Sequence, residues 1–140
     1  MLTGEFRHSL DAKNRIFMPA KLREELGETF IIARDIREKC LKVYSMEGWA
    51  AYTAPIKEKP RQLAEQIMRL LHRSATQVTP DSQGRVLLPP MLVEYAQIVK
   101  NAVVVGCCDY AEIWAEGNYE TMVDNVDDEA LRRALEEWGL

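Results

Sequence analysis

The pentad Asp11, Ala12, Lys13, Asn14 and Arg15 returns, in pattern, as Asp81, Ser82, Gln83, Gly84 and Arg85, and the offset of 70 between them holds far beyond these positions. Ile16, Phe17, Met18 and Pro19 fall on Val86, Leu87, Leu88 and Pro89, and Leu22 falls on Leu92. Farther along, Val43 and Tyr44 meet Ile113 and Trp114, and Trp49 meets Tyr119. Any fold of this chain must therefore accommodate two copies of one small unit. A unit of about half of 140 residues buries too little surface to be secure alone, so each copy needs a neighbour.

Within a copy, Thr3 to Leu10 alternates loosely, the Asp-led pentad follows, and Ile16 and Met18 then share one face of a strand. The pattern reads as strand, turn, strand. Asp11 and Asp81 are turn-forming residues, because a short carboxylate accepts hydrogen bonds from the backbone N–H groups just after it. Asn14 and Gly84 occupy one place in the two copies, and both residue types tolerate positive φ, which predicts a left-handed turn position there. Pro19, Leu22, Leu26 and Gly27 predict a short helix over about 19 to 26, with Pro89, Pro90, Leu92 and Ala96 as its counterpart. Strands are expected at Phe30–Ala33, Leu41–Tyr44, Ala102–Cys107 and Ala111–Ala115, where Val, Ile, Tyr and Trp concentrate.

Between the copies, Leu63, Ile67, Leu70 and Leu71 recur at helical spacing, and Arg61 with Glu65 and Glu65 with Arg69 form four-residue charge pairs. At the end, Asp127 and Asp128 precede Leu131, Leu135 and Trp138, an acidic helix start with an apolar stripe that must pack somewhere, across a subunit boundary for example. The expected organisation is a first repeat at 1–55, a connecting helical segment at 56–72, a second repeat at 73–126 and an acidic amphipathic helix at 127–140.

Charge is distributed unevenly. Residues 1–108 hold 16 Lys and Arg against 12 Asp and Glu, whereas residues 109–140 hold 2 against 10. The overall formal charge of -4 is therefore no veto on an anionic partner, because surface fields are screened within about 10 Å at moderate salt. Cys40, Cys107 and Cys108 suit packed, reduced thiols better than a disulfide framework, and His8 and His72 stand apart from any metal-ligand spacing. Neither a catalytic constellation nor a glycine-rich phosphate loop recurs in the repeats, so no enzyme activity, cofactor, metal or small-molecule substrate is expected. No stretch approaches the roughly 18 apolar residues of a membrane span, and a cytoplasmic location is expected.

The arginine closing each pentad is the feature with chemical reach. An arginine at a strand end can form two parallel hydrogen bonds to a guanine edge, and a two-stranded ribbon fits the major groove of DNA. The same spacing fits an internal Asp-to-Arg ion pair that only fixes the turn. Around the first pentad Arg7, Lys13, Arg15, Lys21 and Arg23 outnumber Glu5, Asp11 and Glu24, whereas the second has little beyond Arg73 and Arg85. Arg23 reads as part of a solvated helix face, and Tyr44, Trp49, Trp114 and Tyr119 as core and interface residues.

The doubled D-x-x-x-R pentad, each followed by an apolar strand and a proline-led helix, resembles the MraZ family of bacterial transcriptional regulators, whose repeat is of the SpoVT-AbrB swapped-hairpin type. The likeness covers nearly all 140 residues, including the Met-Leu-Thr-Gly opening and the segment Gly106–Trp114. It implies a mixed α+β, mainly β fold, with two repeats forming a swapped-hairpin β-barrel with short helices. It further implies a ring-shaped homo-oligomer, associated with the nucleoid, that binds short direct repeats in double-stranded promoter DNA upstream of a division and cell-wall gene cluster and represses it. Arg7, Lys13, Asn14, Arg15 and Arg85 are the expected DNA-binding residues, and Asp11, Asp81 and Gly84 the turn-forming ones. Arg15, helped by Lys13, is the expected reader, with Arg85 mainly preserving the fold or the ring. An oligomeric protein-interaction scaffold without specific DNA binding is the alternative.

Overall fold

The two halves of the chain run through the same succession of elements. The computed structural model describes all 140 residues. The first half contains strands β1 (Glu5–Ser9) and β2 (Arg15–Phe17), helix α1 (Ala20–Leu26), strands β3 (Phe30–Arg34) and β4 (Leu41–Ser45), and helix α2 (Met46–Thr53). A 3-10 segment, Ala54–Glu58, leads into α3 (Arg61–Ser74). The second half contains β5 (Thr76–Val78), β6 (Arg85–Leu87), α4 (Pro90–Tyr95), β7 (Asn101–Gly106), β8 (Ala111–Ala115), α5 (Glu116–Asp124) and the terminal α6 (Asp128–Glu137).

The halves exchange strands. One six-stranded antiparallel sheet runs β1-β7-β8-β4-β3-β5, so the first strand of each copy lies against a strand of the other, and β2 pairs with β6 in a separate ribbon. The offset of 70 that relates the copies maps Ile16 onto Val86 and Lys42 onto Glu112, and the members of each pair face one another in register. A pseudo-twofold axis thus passes through the ribbon and the middle of the sheet. At that axis Lys42 Nζ lies 3.7 Å from Glu112 Oε2.

Strand periodicity explains the layers. Phe30, Ile32, Leu41, Val43, Ala102, Val104, Ala111 and Ile113 point to one face of the sheet, where they enclose Ile16 and Val86 from the ribbon, Met18 and Leu88 just past its strands, Leu22 and Leu26 from α1, Leu92 from α4 and Ala96 at its end. The alternate residues face the other way: Ile31, Ala33 and Tyr44 pack under Trp49 and Leu71, and Val103 and Trp114 pack under Tyr119. Both faces are covered, which is why β3 and β7 read as unbroken apolar runs rather than alternating ones.

The mixed, sheet-rich architecture agrees with expectation, with one difference in topology. The segments flanking the first pentad pair across the halves, β1 with β7 and β2 with β6. The main sheet is open, with β1 and β5 as its edges, and no closed barrel is formed. Periodicity fixes which face of a strand is buried but carries no information about its partner.

Gly106 makes one of these exchanges possible. A Cβ placed there would stand 2.4 Å from Thr3 N and 2.6 Å from Leu2 C, and the Gly106 N–H donates to Gly4 O at 2.8 Å. The amino-terminal segment therefore passes directly over β7. On α6 the apolar stripe lies open, with Leu131, Leu135 and Trp138 all exposed, and the Asp127 carboxylate accepts from the Ala130 N–H at the helix start. No helix is long and apolar enough to cross a membrane.

Candidate nucleic-acid interface

Both pentads fold into the same hydrogen-bonded turn, built by the aspartate. Asp11 Oδ1 accepts from the backbone N–H of Lys13 and of Arg15, each at 2.9 Å, and Asp81 Oδ1 accepts from those of Gln83 and Arg85 at 2.9 and 3.0 Å. The Asp11 N–H donates to Arg15 O and the Asn14 N–H to Asp11 O, with the same two bonds in the second copy. Asn14 has φ 59° and Gly84 φ 81°, the left-handed position that the interchange of Asn and Gly predicted. The backbone N–H of the closing arginine is the largest influence holding each aspartate's pKa below its ordinary 3.8; the guanidinium adds to it.

The arginines do two things at once. Arg15 Nε donates to Asp11 Oδ2 at 2.7 Å, and Arg85 Nε to Asp81 Oδ2 at 3.1 Å, so the turn-fixing ion pair is real. Only the Nε edge of Arg15 is committed, which leaves its terminal nitrogens for another acceptor. Arg85 is more engaged, because its Nη1 also lies 3.6 Å from Asp11 Oδ2. Asp11 thereby joins the two turns.

The ribbon fixes where these groups stand. Arg15 faces Leu87 and Phe17 faces Arg85, whereas Ile16 and Val86 are fully buried on the opposite side. Alternation therefore sets Arg15, Phe17, Arg85 and Leu87 together on the outer face, with an arginine on each strand. The turns extend from opposite ends of this ribbon. The Met18 N–H donates to Gly84 O at 2.8 Å and the Leu88 N–H to Asn14 O at 2.9 Å, tying each turn to the other copy.

Of the expected DNA-binding residues, Lys13, Asn14, Arg15 and Arg85 are gathered on the ribbon and its turns. Lys13 is exposed and makes no ion pair. Arg7 is not part of the group. Its guanidinium is directed at α5, 3.4 Å from Glu116 and 3.2 Å from Glu120, with Glu5 at 3.6 Å. Partial desolvation works against its charge, but the hydrogen bond to Glu120 and the surrounding carboxylates hold its pKa above the ordinary value. Three carboxylates compete with any phosphate for Arg7, which links β1 to α5.

Two further observations bear on the site. Arg23, read from the sequence as a solvated helix residue, instead donates from Nε to Met18 O at 2.8 Å and lies over the Phe17 ring. Its only sequence signal is its place in the basic cluster around the first pentad. Cys40 is buried, and burial with the neighbouring Glu112 pushes the Cys107 thiol up to about 11. A thiol so protonated at neutral pH is a poor nucleophile.

The family model described as "MraZ protein, putative antitoxin-like" matches the chain twice, over residues 1–70 and 71–138. The transcriptional regulator MraZ of Clostridium tetani is 37% identical over 143 residues, and that of Moorella thermoacetica 39% identical over 144, with both chains covered in full in each comparison. The transcriptional regulator MraZ of Carboxydothermus hydrogenoformans is 42% identical over 118 residues, covering 83% of this chain and 82% of its own. Two successive family matches and relatives that align from end to end show that the chain belongs to the MraZ family.

Proposed function

We propose that this chain is a DNA-binding transcriptional regulator whose reading surface is the outer face of the β2–β6 ribbon with its two turns. The observation that carries this reading is the pair of arginines held on one ribbon by Asp11 and Asp81, with the terminal nitrogens of Arg15 uncommitted. A cation fixed through Nε and free at Nη is organised for bidentate recognition before any ligand arrives, so little side-chain freedom remains to be lost. Relatives named as transcriptional regulators support the same reading.

In this proposal Arg15 reads a base edge, Lys13 contacts phosphate, Asn14 sets the turn that presents both, and Arg85 contributes less because two carboxylates engage it. The targets are short direct repeats in promoter DNA upstream of the chain's own operon of division and cell-wall genes, where binding represses transcription and associates the protein with the nucleoid. We read the exchange of strands between copies as the family's swapped-hairpin arrangement. Copies of the chain assemble into a ring, for which the open stripe of α6 supplies an adhesive surface. One ribbon alone binds weakly, and several on one ring bind with avidity.

The test is a gel-shift titration of Arg15→Ala on a duplex carrying the chain's own upstream region. The substitution should weaken specific binding by at least about fivefold, the lower end of a bidentate base contact, with the native mass of the oligomer unchanged. Unchanged affinity would refute the proposal, and equal binding to random duplex by the unaltered protein would favour the scaffold reading.

A further inference from the structure

Position 83 carries glutamine where position 13 carries lysine, so the second turn lacks the cation that tips the first. The exchange of strands brings one from the other copy. Because Phe17 faces Arg85 and the Met18 N–H bonds to Gly84 O, the start of α1 lies alongside the second turn. Arg23, one turn into that helix, sets its Cζ 5.8 Å from the Phe17 ring centroid. A Cβ added to Gly84 would stand 3.1 Å from both Cζ and Nη2 of Arg23, so the guanidinium rests against the turn's left-handed glycine. The ion pairs nearby run from Arg15 and Arg85 to Asp11 and Asp81, and none engages Arg23. Only its Nε is committed, to Met18 O. The equivalent position in the second copy is Val93, so the first turn receives no such neighbour.

Resting on the DNA-binding reading above, we propose that Arg23 is a phosphate-contacting residue of the second turn, taking the role that lysine has at the first. Each turn then has one accessory cation, supplied from its own loop in one case and from the opposite repeat in the other. The ribbon register sets the two turns at opposite ends, so Lys13 and Arg23 flank the central pair Arg15 and Arg85. Strands of three residues at ~3.3 Å per residue make a ribbon about 10 Å long, comparable to the ~12 Å width of the major groove. Arginines over the groove floor and cations toward its two walls is the distribution that separates base reading from phosphate positioning.

The experiment is a fluorescence-anisotropy titration of the full-length protein, over a series of salt concentrations, on the upstream duplex and on random duplex. Arg23→Gln should weaken both to the same extent, by about tenfold at moderate salt, and reduce the slope of log affinity against log salt by about 0.9 for each second turn engaged. Adding Gln83→Lys to Arg23→Gln should restore the slope, and Arg23→Lys should largely keep it. A side chain that only braces Met18 would not be replaced by a lysine on the neighbouring loop. Wild-type affinity and slope in Arg23→Gln, or a loss that Gln83→Lys does not restore, would overturn the inference, while loss of specific binding in Arg15→Ala would leave the DNA reading standing. If Arg15→Ala and Lys13→Gln also bind as wild type does, the assignment of the ribbon as the reading surface itself fails.

Discussion

Asp11 touches two arginines and Asp81 one, and that difference separates turns that are otherwise alike. Both aspartates are held below 3.8 chiefly by the backbone N–H of the closing arginine. A carboxylate with a depressed pKa contributes its full stabilisation above its unfolded value and loses it as pH falls through the lower folded value. The contribution of these groups to the melting temperature should therefore be constant between pH 5 and neutrality and decline below about 3.8 as they protonate. In the double variant Asp11→Asn, Asp81→Asn that acid decline should be shallower; an identical acid limb would show that the turns do not depend on the charge. Much at this scale was legible in the sequence, because the demand of a left-handed position on Asn14 and Gly84 is a property of those residue types. Arg23 was not legible, since its neighbours at the second turn come from a strand exchange that no local pattern encodes.

Elements were legible where a period repeats and obscure where it does not. Two apolar residues four apart behind a proline were enough for α1, and Arg61–Ser74 has a clear apolar stripe. Helices α2 and α5 escaped, because each anchors mainly through one aromatic residue, Trp49 or Tyr119, and so shows no repeated apolar spacing. The start of α2 is set instead by a side chain, as Ser45 Oγ accepts from the Gly48 N–H at 2.9 Å. The edge strand β1 depends on a close approach rather than on propensity. Gly106→Ala would force a methyl group into the Leu2–Thr3 backbone, and overpacking of this kind costs about 1–3 kcal/mol. Urea denaturation should show that loss, together with faster hydrogen exchange in β1 than in β4; unchanged stability would mean that the amino-terminal segment docks loosely.

At the scale of the whole molecule, neither repeat completes its sheet alone: within a half only β3 with β4, or β7 with β8, pair. Each half leaves its first strand and its ribbon strand without partners, because β1, β2, β5 and β6 all pair across the halves. Residues 1–59 and 60–140 expressed separately should each lack cooperative unfolding by circular dichroism, and mixing them should restore a single transition. A half that melts cooperatively alone would contradict the exchanged topology. The duplication predicted that each copy needs a neighbour, yet the sequence could not tell side-by-side packing from interleaving. The pairing of Lys42 with Glu112 bears on which halves meet. If two identical half-length chains met about that axis, lysine would face lysine or glutamate would face glutamate, and like charges directly opposite repel. Opposite signs at equivalent positions are open only to halves that differ in sequence, so this ion pair favours one half meeting the other over either half meeting a copy of itself.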